Sequence, residues 1–200
     1  MKKNLKKRIF TSLSLLLLLF VMLIDNFILG YFIIIVGILS ILEFFNIIKI
    51  ILKKDNIKQF FFSSLFVIYV FLFLGLFLYF SLFLNLRIII FTVLLTCVAS
   101  DLGGYIFGKI FRGPKLTQIS PNKTLSGSIG SLLLSIIFIS TVFYYLTKSF
   151  NPNIIVIGIL ISFFCQLGDL FFSFLKRKSS LKDTGNILPG HGGILDRIDG

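Results

Sequence analysis

Long uncharged stretches, separated by short clusters of charged residues, make up most of this sequence. A helix needs about 20 apolar residues to cross a bilayer, and the longer stretches meet that length. The pattern therefore predicts an all-α, polytopic membrane protein with about six transmembrane helices. The predicted helices cover residues 9–24, 27–42, 60 to about 79, 87–100 with a continuation or bend through 105, 125–147 and 153–175.

The first two stretches are short and are separated only by Asp25 and Asn26, which form a turn signal. They predict either a tight helical hairpin or a re-entrant pair. Basic residues precede the first stretch, as they do in a signal peptide. However, no small-residue cleavage site follows, and a second apolar stretch begins at once, so we expect a retained helix.

Composition supports lipid as the solvent for much of the surface. The chain is 56% hydrophobic, contains 26 Phe and has a mean hydropathy of +1.01. A soluble domain with this content would expose large apolar patches. The net charge of +12 suggests nucleic acid at first, but the basic residues lie in clusters between the apolar stretches. That placement indicates membrane topology and anionic lipid, so we expect no nucleic-acid partner.

The basic residues also predict the orientation of the chain. If the N-terminus is inside, eighteen of the twenty Lys and Arg residues lie on the inner side, and only Arg87 and Lys148 lie outside. Positive charge favours the cytoplasmic side. We therefore expect a multi-pass protein of the cell inner (plasma) membrane whose polar tail faces the cytoplasm. It forms one integral membrane domain, with N-terminal helices in residues 1–95 and the functional region in residues 96–200.

Asp169 is the most informative single residue, because a carboxylate near the end of an apolar helix is costly unless it is paired or functional. Gln166 and Ser173 share its helical face, and Lys176 follows one turn later. This face presents an amide, a carboxylate, a hydroxyl and an ammonium group. The alternative is a packing ion pair between Asp169 and Lys176.

Two further carboxylates, Asp196 and Asp199, are three residues apart near the end of the sequence. On a helix they would share a face and could hold a hard cation such as Mg²⁺. Gly192 and Gly193 precede them and would let backbone amides approach an anion. His191 could be a proton donor, a hydrogen-bonding scaffold or a ligand.

Other polar residues are candidates for binding phosphate. Ser120, Lys123 and Thr124 stand just before the predicted helix at 125–147, and helix N-termini attract phosphate. A further polar cluster consists of Asp101 and the glycines after it. The alternative interpretation of this cluster is a helix cap and a bend. The remaining candidates are basic residues of the tail, Lys176, Arg177 and Lys182.

Residues 173–199 resemble the C-terminal motif of the phosphatidate cytidylyltransferases, also called CDP-diacylglycerol synthases. The motif is Ser-x-apolar-Lys-Arg, four residues, Lys-Asp-x-small, two residues, apolar-Pro-x-His-Gly-Gly-apolar-x-Asp-Arg-apolar-Asp, and it matches without a gap. The resemblance extends over residues 95–200. It implies a C-terminal cytoplasmic catalytic segment that transfers CMP from CTP to phosphatidate with Mg²⁺, releasing pyrophosphate, in phospholipid biosynthesis.

By position, the resemblance implies that Asp169 and Asp196 bind metal, with Asp199 supporting them. A second cation is compatible with the paired carboxylates. It implies partners CTP, phosphatidate and membrane lipid, and leaves a homodimer open. The expected catalytic residues are Asp169, Lys176, Asp196 and Asp199, and the expected substrate-binding residues are Ser120, Lys123, Thr124, Ser173, Arg177, Lys182, His191 and Arg197.

Two departures from the family pattern bear on this expectation. Leu125 and Ser126 stand where many members carry an aromatic residue and a glutamate. The family also continues into another membrane helix after the motif, whereas this sequence ends at Gly200, so we expect either a fragment or a chain without that helix.

Other interpretations are a CTP-dependent polyprenol or phytol kinase, which would release CDP, and a small cation transporter with Asp169 as its ion site. A further one is an inactive remnant.

Overall fold

A computed structural model describes residues 21–22, 24–118, 120, 123–185, 187 and 192–200. Most of the predicted helix at 9–24 lies outside these residues, as does His191. The described part of the chain is all α-helical apart from an isolated β-bridge between Lys115 and Thr124. Its helices are α1 Asn26–Ile51, α2 Asn56–Ser81, α3 Leu84–Phe111, α4 Leu125–Thr147, α5 Asn153–Lys178 and the short α6 Leu195–Ile198.

The first five helices are each long and apolar enough to cross a membrane, with mean hydropathies between 1.9 and 2.5. The protein is therefore an all-α, multi-pass membrane protein, as the sequence pattern predicts. Helix α4 has the predicted bounds, and α5 continues three residues beyond the predicted end, to Lys178.

Polar residues between the apolar stretches determine where three helices begin. The Asp25 carboxylate accepts a hydrogen bond from the backbone N–H of Phe27 at 2.7 Å, and Asp55 accepts one from Lys58 at 3.1 Å. Thr124 caps α4 in the same way. Each cap satisfies an amide that has no partner within its own helix.

Two helices extend far beyond their predicted ends. Helix α1 continues past residue 42 to Ile51, and it contains Glu43, a buried carboxylate at which the apolar run appeared to end. Helix α3 continues through Asp101 to Phe111. The alternative of a cap at Asp101 is therefore wrong, because ten further helical residues follow it.

The chain forms two compact units. The first contains the described residues through Ile88, together with Leu175–Ile198. Its helices α1 and α2 pack closely, since the rings of Phe44 and Phe66 stack with centroids 3.8 Å apart. A Cβ at Gly37 would lie 2.6 Å from the Leu74 side chain of α2, so the glycine permits this close packing.

The second unit contains Ile89–Phe174 and Asp199–Gly200. A Cβ at Gly103 of α3 would collide with the carbonyl oxygen of Gly130 in α4, so the glycines allow the two backbones to approach closely. The hydroxyls of Ser100 and Ser162 are 2.9 Å apart, joining α3 to α5. Small residues and hydrogen bonds between helices are the usual means of packing in lipid.

Candidate active site

Asp169 of α5 forms an ion pair with Lys123, which lies just before α4. The Lys123 Nζ to Asp169 Oδ2 distance is 2.5 Å, and the two side chains are 28% and 26% exposed. Lys123 is held in place by its backbone, which donates to the Ser120 carbonyl at 3.1 Å and accepts from the Leu116 N–H at 2.8 Å. Asp169 therefore forms an ion pair, as the alternative interpretation of its sequence predicts. Its partner is Lys123 of a different element, 46 residues away, whereas the predicted partner was Lys176.

Two more carboxylates belong to the same neighbourhood. Asp101 interacts electrostatically with Asp169, Asp199 and Lys123. A Cβ at Gly168 would collide with the backbone carbonyl oxygen of Asp199, so this glycine lets the end of the chain approach α5. We call Asp101, Lys123, Asp169 and Asp199 the Asp169 cluster. It gathers three negative charges and one positive charge, which favours the binding of a further cation.

Gln166 and Thr124, which share this region, contribute to packing and capping. Gln166 accepts a hydrogen bond from the Ser128 hydroxyl and donates to the Ser162 hydroxyl at 3.1 Å, so it joins α4 to α5. The Thr124 hydroxyl accepts from the Gly127 N–H at 3.1 Å. Both polar groups therefore have a structural role whether or not they also meet a ligand.

A second cluster surrounds Asp196 in the first compact unit. Its Oδ1 accepts from Lys176 Nζ at 2.7 Å. Its Oδ2 accepts from the Thr184 N–H at 2.8 Å, the Thr184 hydroxyl at 3.0 Å and the Gly193 N–H at 3.1 Å. The side chains of Lys176 and Asp196 are 18% and 7% exposed. We call Lys176, Thr184, Gly193 and Asp196 the Asp196 cluster.

The donors around Asp196 stabilise its charged form. Burial by itself raises the pKa of this carboxyl, but the Lys176 ammonium and the N–H groups of Thr184 and Gly193 oppose that effect, and the pKa lies below its ordinary value. Asp196 is therefore ionised at neutral pH.

Glu43 of α1 lies beside the Asp196 cluster and has no counterpart in the sequence prediction. The residue is 3% exposed, and its carboxylate accepts hydrogen bonds from the Thr184 hydroxyl and from the N–H groups of Ile194 and Leu195, each at 2.9 Å. The signal that could have found it is an acid within an otherwise apolar run, since ionisable residues in membrane helices are rarely without a partner or a role.

Comparison with known proteins identifies the family. The sequence profile of the cytidylyltransferase family matches residues 8–200. The chain belongs to this family. It is 48% identical over 104 residues to a phosphatidate cytidylyltransferase of Staphylococcus haemolyticus (strain JCSC1435), a match that covers 50% of this chain and 39% of the relative.

Two further relatives carry the same name. The protein of Staphylococcus aureus (strain COL) is 49% identical over 104 residues, which cover 50% of this chain and 39% of the relative. That of Staphylococcus epidermidis (strain ATCC 12228 / FDA PCI 1200) is 44% identical over 117 residues, covering 58% of this chain and 45% of the relative. The matched part thus spans less than half the length of each relative.

The remaining family-motif residues are placed as follows. Arg177, Lys182 and Arg197 are exposed and Ser173 is half-buried, whereas His191 lies outside the described residues. The expectation that one helical face presents both Asp196 and Asp199 is wrong, because α6 ends at Ile198.

The donor chemistry of the Asp169 cluster suits Mg²⁺, which prefers carboxylate oxygens. Within the described part of the chain, however, no three His, Cys, Asp or Glu side chains are arranged to hold a metal ion. The Lys123 ammonium contacts Asp169 instead. The cluster therefore contains oxygen ligands that suit Mg²⁺, but in this structure Asp169 is paired with a lysine.

Proposed function

We propose that this protein transfers CMP from CTP to phosphatidate, giving CDP-diacylglycerol and pyrophosphate. Family membership and the shared name of the staphylococcal relatives support this activity. The structural observation that carries the proposal is the pairing of four predicted site residues. In each of two pairs an ammonium group lies beside a carboxylate: Lys123 with Asp169, and Lys176 with Asp196.

The reaction requires a phosphate oxygen of phosphatidate to attack the α-phosphorus of CTP. A new P–O bond forms, and the bond from the α-phosphorus to the oxygen of the β-phosphate breaks, so that pyrophosphate leaves. Such transfers depend mainly on positioning and on neutralising phosphate charge. The ammonium groups of Lys123 and Lys176 are suited to that task, because each is held by a carboxylate on a folded element.

We further propose that Mg²⁺ assists the reaction and that Asp169 and Asp199 supply oxygen ligands. The bound ion would neutralise phosphate charge. The gathering of three carboxylates in the Asp169 cluster supports this assignment. Asp196 remains a predicted ligand, although its oxygens accept three hydrogen bonds and share the Thr184 hydroxyl with Glu43.

The proposed location is the cell inner membrane, with the charged clusters facing the cytoplasm. The uneven distribution of Lys and Arg between the predicted loops supports this orientation. CTP would then arrive from the cytoplasm, and phosphatidate from the bilayer.

The test is to supply the purified full chain in detergent with Mg²⁺, phosphatidate and CTP labelled at either the α- or the γ-phosphate. The proposal predicts that α-label enters the lipid and that γ-label is released as pyrophosphate. Transfer of γ-label to the lipid would instead identify a kinase, and no transfer of either label would refute the proposal.

The Asp169→Asn variant should lower kcat by roughly 10²–10³, since it removes the carboxylate charge from the cluster. The matched control is Asp25→Asn, because asparagine caps a helix about as well as aspartate does. Equal activity of the two variants would remove Asp169 from the site.

A further inference from the structure

We propose that Glu43 is a positioning residue, which holds the segment from Gly192 to Asp196 and so fixes the Asp196 carboxylate and its partner Lys176. Its effect on turnover rests on the proposed function, whereas its effect on the segment does not. Nothing in the motif of residues 173–199 includes this glutamate, since it lies in α1, about 150 residues earlier.

The first argument is that Glu43 is fully engaged by this one segment and by Thr184. Ile194 N–H donates to Oε1, and Leu195 N–H and the Thr184 hydroxyl donate to Oε2, each at 2.9 Å. A carboxylate inside an apolar helix is tolerated when such donors surround it. An apolar residue at position 43 could fill the space but could not accept these hydrogen bonds.

The second argument is that glycines close the chain around the carboxylate. A Cβ at Gly185 would lie 2.9 Å from Cδ of Glu43, and one at Gly193 would lie 2.5 Å from Glu43 Oε2. Real Cβ atoms do not approach other heavy atoms so closely. At Gly185 the atoms in the way all belong to Glu43, whereas at Gly193 a Cβ would also meet the Thr184 hydroxyl and the Gly185 backbone nitrogen. The glycine at 185 therefore indicates that the chain packs closely around the glutamate.

The third argument is the direct connection to Asp196. The Thr184 hydroxyl lies 2.9 Å from Glu43 Oε2 and 3.0 Å from Asp196 Oδ2, so the two carboxylates share its single hydrogen as acceptors. Along the segment, Gly193 N–H donates to Asp196, while the next two N–H groups donate to Glu43. Three consecutive N–H groups, those of residues 193–195, thus donate to these two carboxylates.

The central test uses Glu43→Gln, which keeps the size of the side chain but replaces one acceptor by an N–H donor. In either amide orientation at least one donor then faces another donor. We expect the amides of Ile194 and Leu195 in the full chain to exchange hydrogen at least tenfold faster. The control, Ser40→Ala, is one turn away on α1 and removes only a bond to the carbonyl of Gly37 in the same helix.

Thr184 provides a second variant outside the membrane helices. Thr184→Val removes the hydroxyl that links the two carboxylates, and Thr184→Ser keeps it. We expect Val to lower kcat for CMP transfer at least tenfold and Ser to retain most of it. The double variant with Glu43→Gln should lose less activity than the two single losses combined, because the two residues contact each other.

Wild-type exchange at Ile194 and Leu195 in Glu43→Gln would overturn the proposal. Faster exchange with unchanged kcat would also overturn it, because Glu43 would then support the fold without positioning the site. Equal kcat for Thr184→Val and Thr184→Ser would exclude the connection to Asp196. The exchange measurement needs no turnover. A wild-type chain that transfers no CMP would therefore refute the proposed function, while hydrogen exchange at Ile194 and Leu195 would still decide whether Glu43 holds the segment.

Discussion

The ion pair between Lys176 and Asp196 should contribute measurably to stability, unlike most ion pairs at a protein surface. Its two side chains are only 18% and 7% exposed, so solvent screens their interaction weakly. A hydrogen bond to a charged group contributes about 1.5–3 kcal/mol net. We therefore expect an interaction free energy of about 2 kcal/mol between these residues.

The two single variants should differ in severity. Lys176→Met leaves Asp196 with three donors from Thr184 and Gly193, and should reduce the unfolding free energy by about 2 kcal/mol. Asp196→Asn removes the carboxylate that the Lys176 ammonium contacts, and also places an amide N–H among donors. Breaking a buried pair in this way costs about 3–5 kcal/mol.

The assay is a double-mutant cycle on the full chain, with unfolding free energies measured by detergent titration in mixed micelles and followed by circular dichroism. The control cycle is Asp55 with Lys58, an ion pair at a similar distance of 2.8 Å but on an exposed surface. Its coupling should fall within the error of the measurement. Additivity within about 0.5 kcal/mol for Lys176 and Asp196 would refute the reasoning, because contacting charges that are shielded from solvent should couple.

Two further predictions follow from single contacts. The folded-state pKa of Asp196 is lowered, so its stabilising contribution is complete above the ordinary carboxyl pKa of about 4 and is lost as pH falls through the lowered value. The difference in unfolding free energy between wild type and Asp196→Asn should therefore shrink on acidification. A difference that stays constant with pH would contradict this. Gly103→Ala should destabilise by roughly 1–3 kcal/mol because its Cβ meets the Gly130 carbonyl, whereas Gly75→Ala, with no described atom within 4 Å of its Cβ, should be neutral or stabilising in the same titration.

The helices could be predicted where hydropathy and capping agree. Residues 125–147 form an apolar run that begins after the Thr124 cap and ends before Lys148, which adopts a left-handed conformation, so both bounds were predictable. The end of α1 at Ile51 was not predictable in this way, because the apolar run stops before Glu43. Hydropathy scores this carboxylate as an interruption, although donors at Thr184, Ile194 and Leu195 satisfy it. No local pattern reveals a partner so far along the chain.

The candidate site shows the same limit. Residue type and spacing predict Asp169, Asp196, Lys123 and Lys176 as site residues, and helical periodicity predicts that Asp169 could pair with Lys176. The structure instead joins residues that are 46 and 20 positions apart. Periodicity relates residues within one helix, whereas these pairs depend on loops that return to the helix from elsewhere in the chain.

The environments of the two aspartates suggest different tasks in the proposed reaction. The Asp196 side chain is 7% exposed, accepts three hydrogen bonds and shares the Thr184 hydroxyl with Glu43, so a change of partner would require several donors to find new acceptors. The Asp169 side chain is 26% exposed and lies in a cluster with two other carboxylates, where Lys123 provides the positive charge. If Lys123 moved to an incoming phosphate, Asp169 would be left beside other carboxylates, which raises the affinity of that cluster for a cation. Asp169 is therefore the better candidate for exchanging its partner during turnover, and Asp196 for keeping its arrangement throughout.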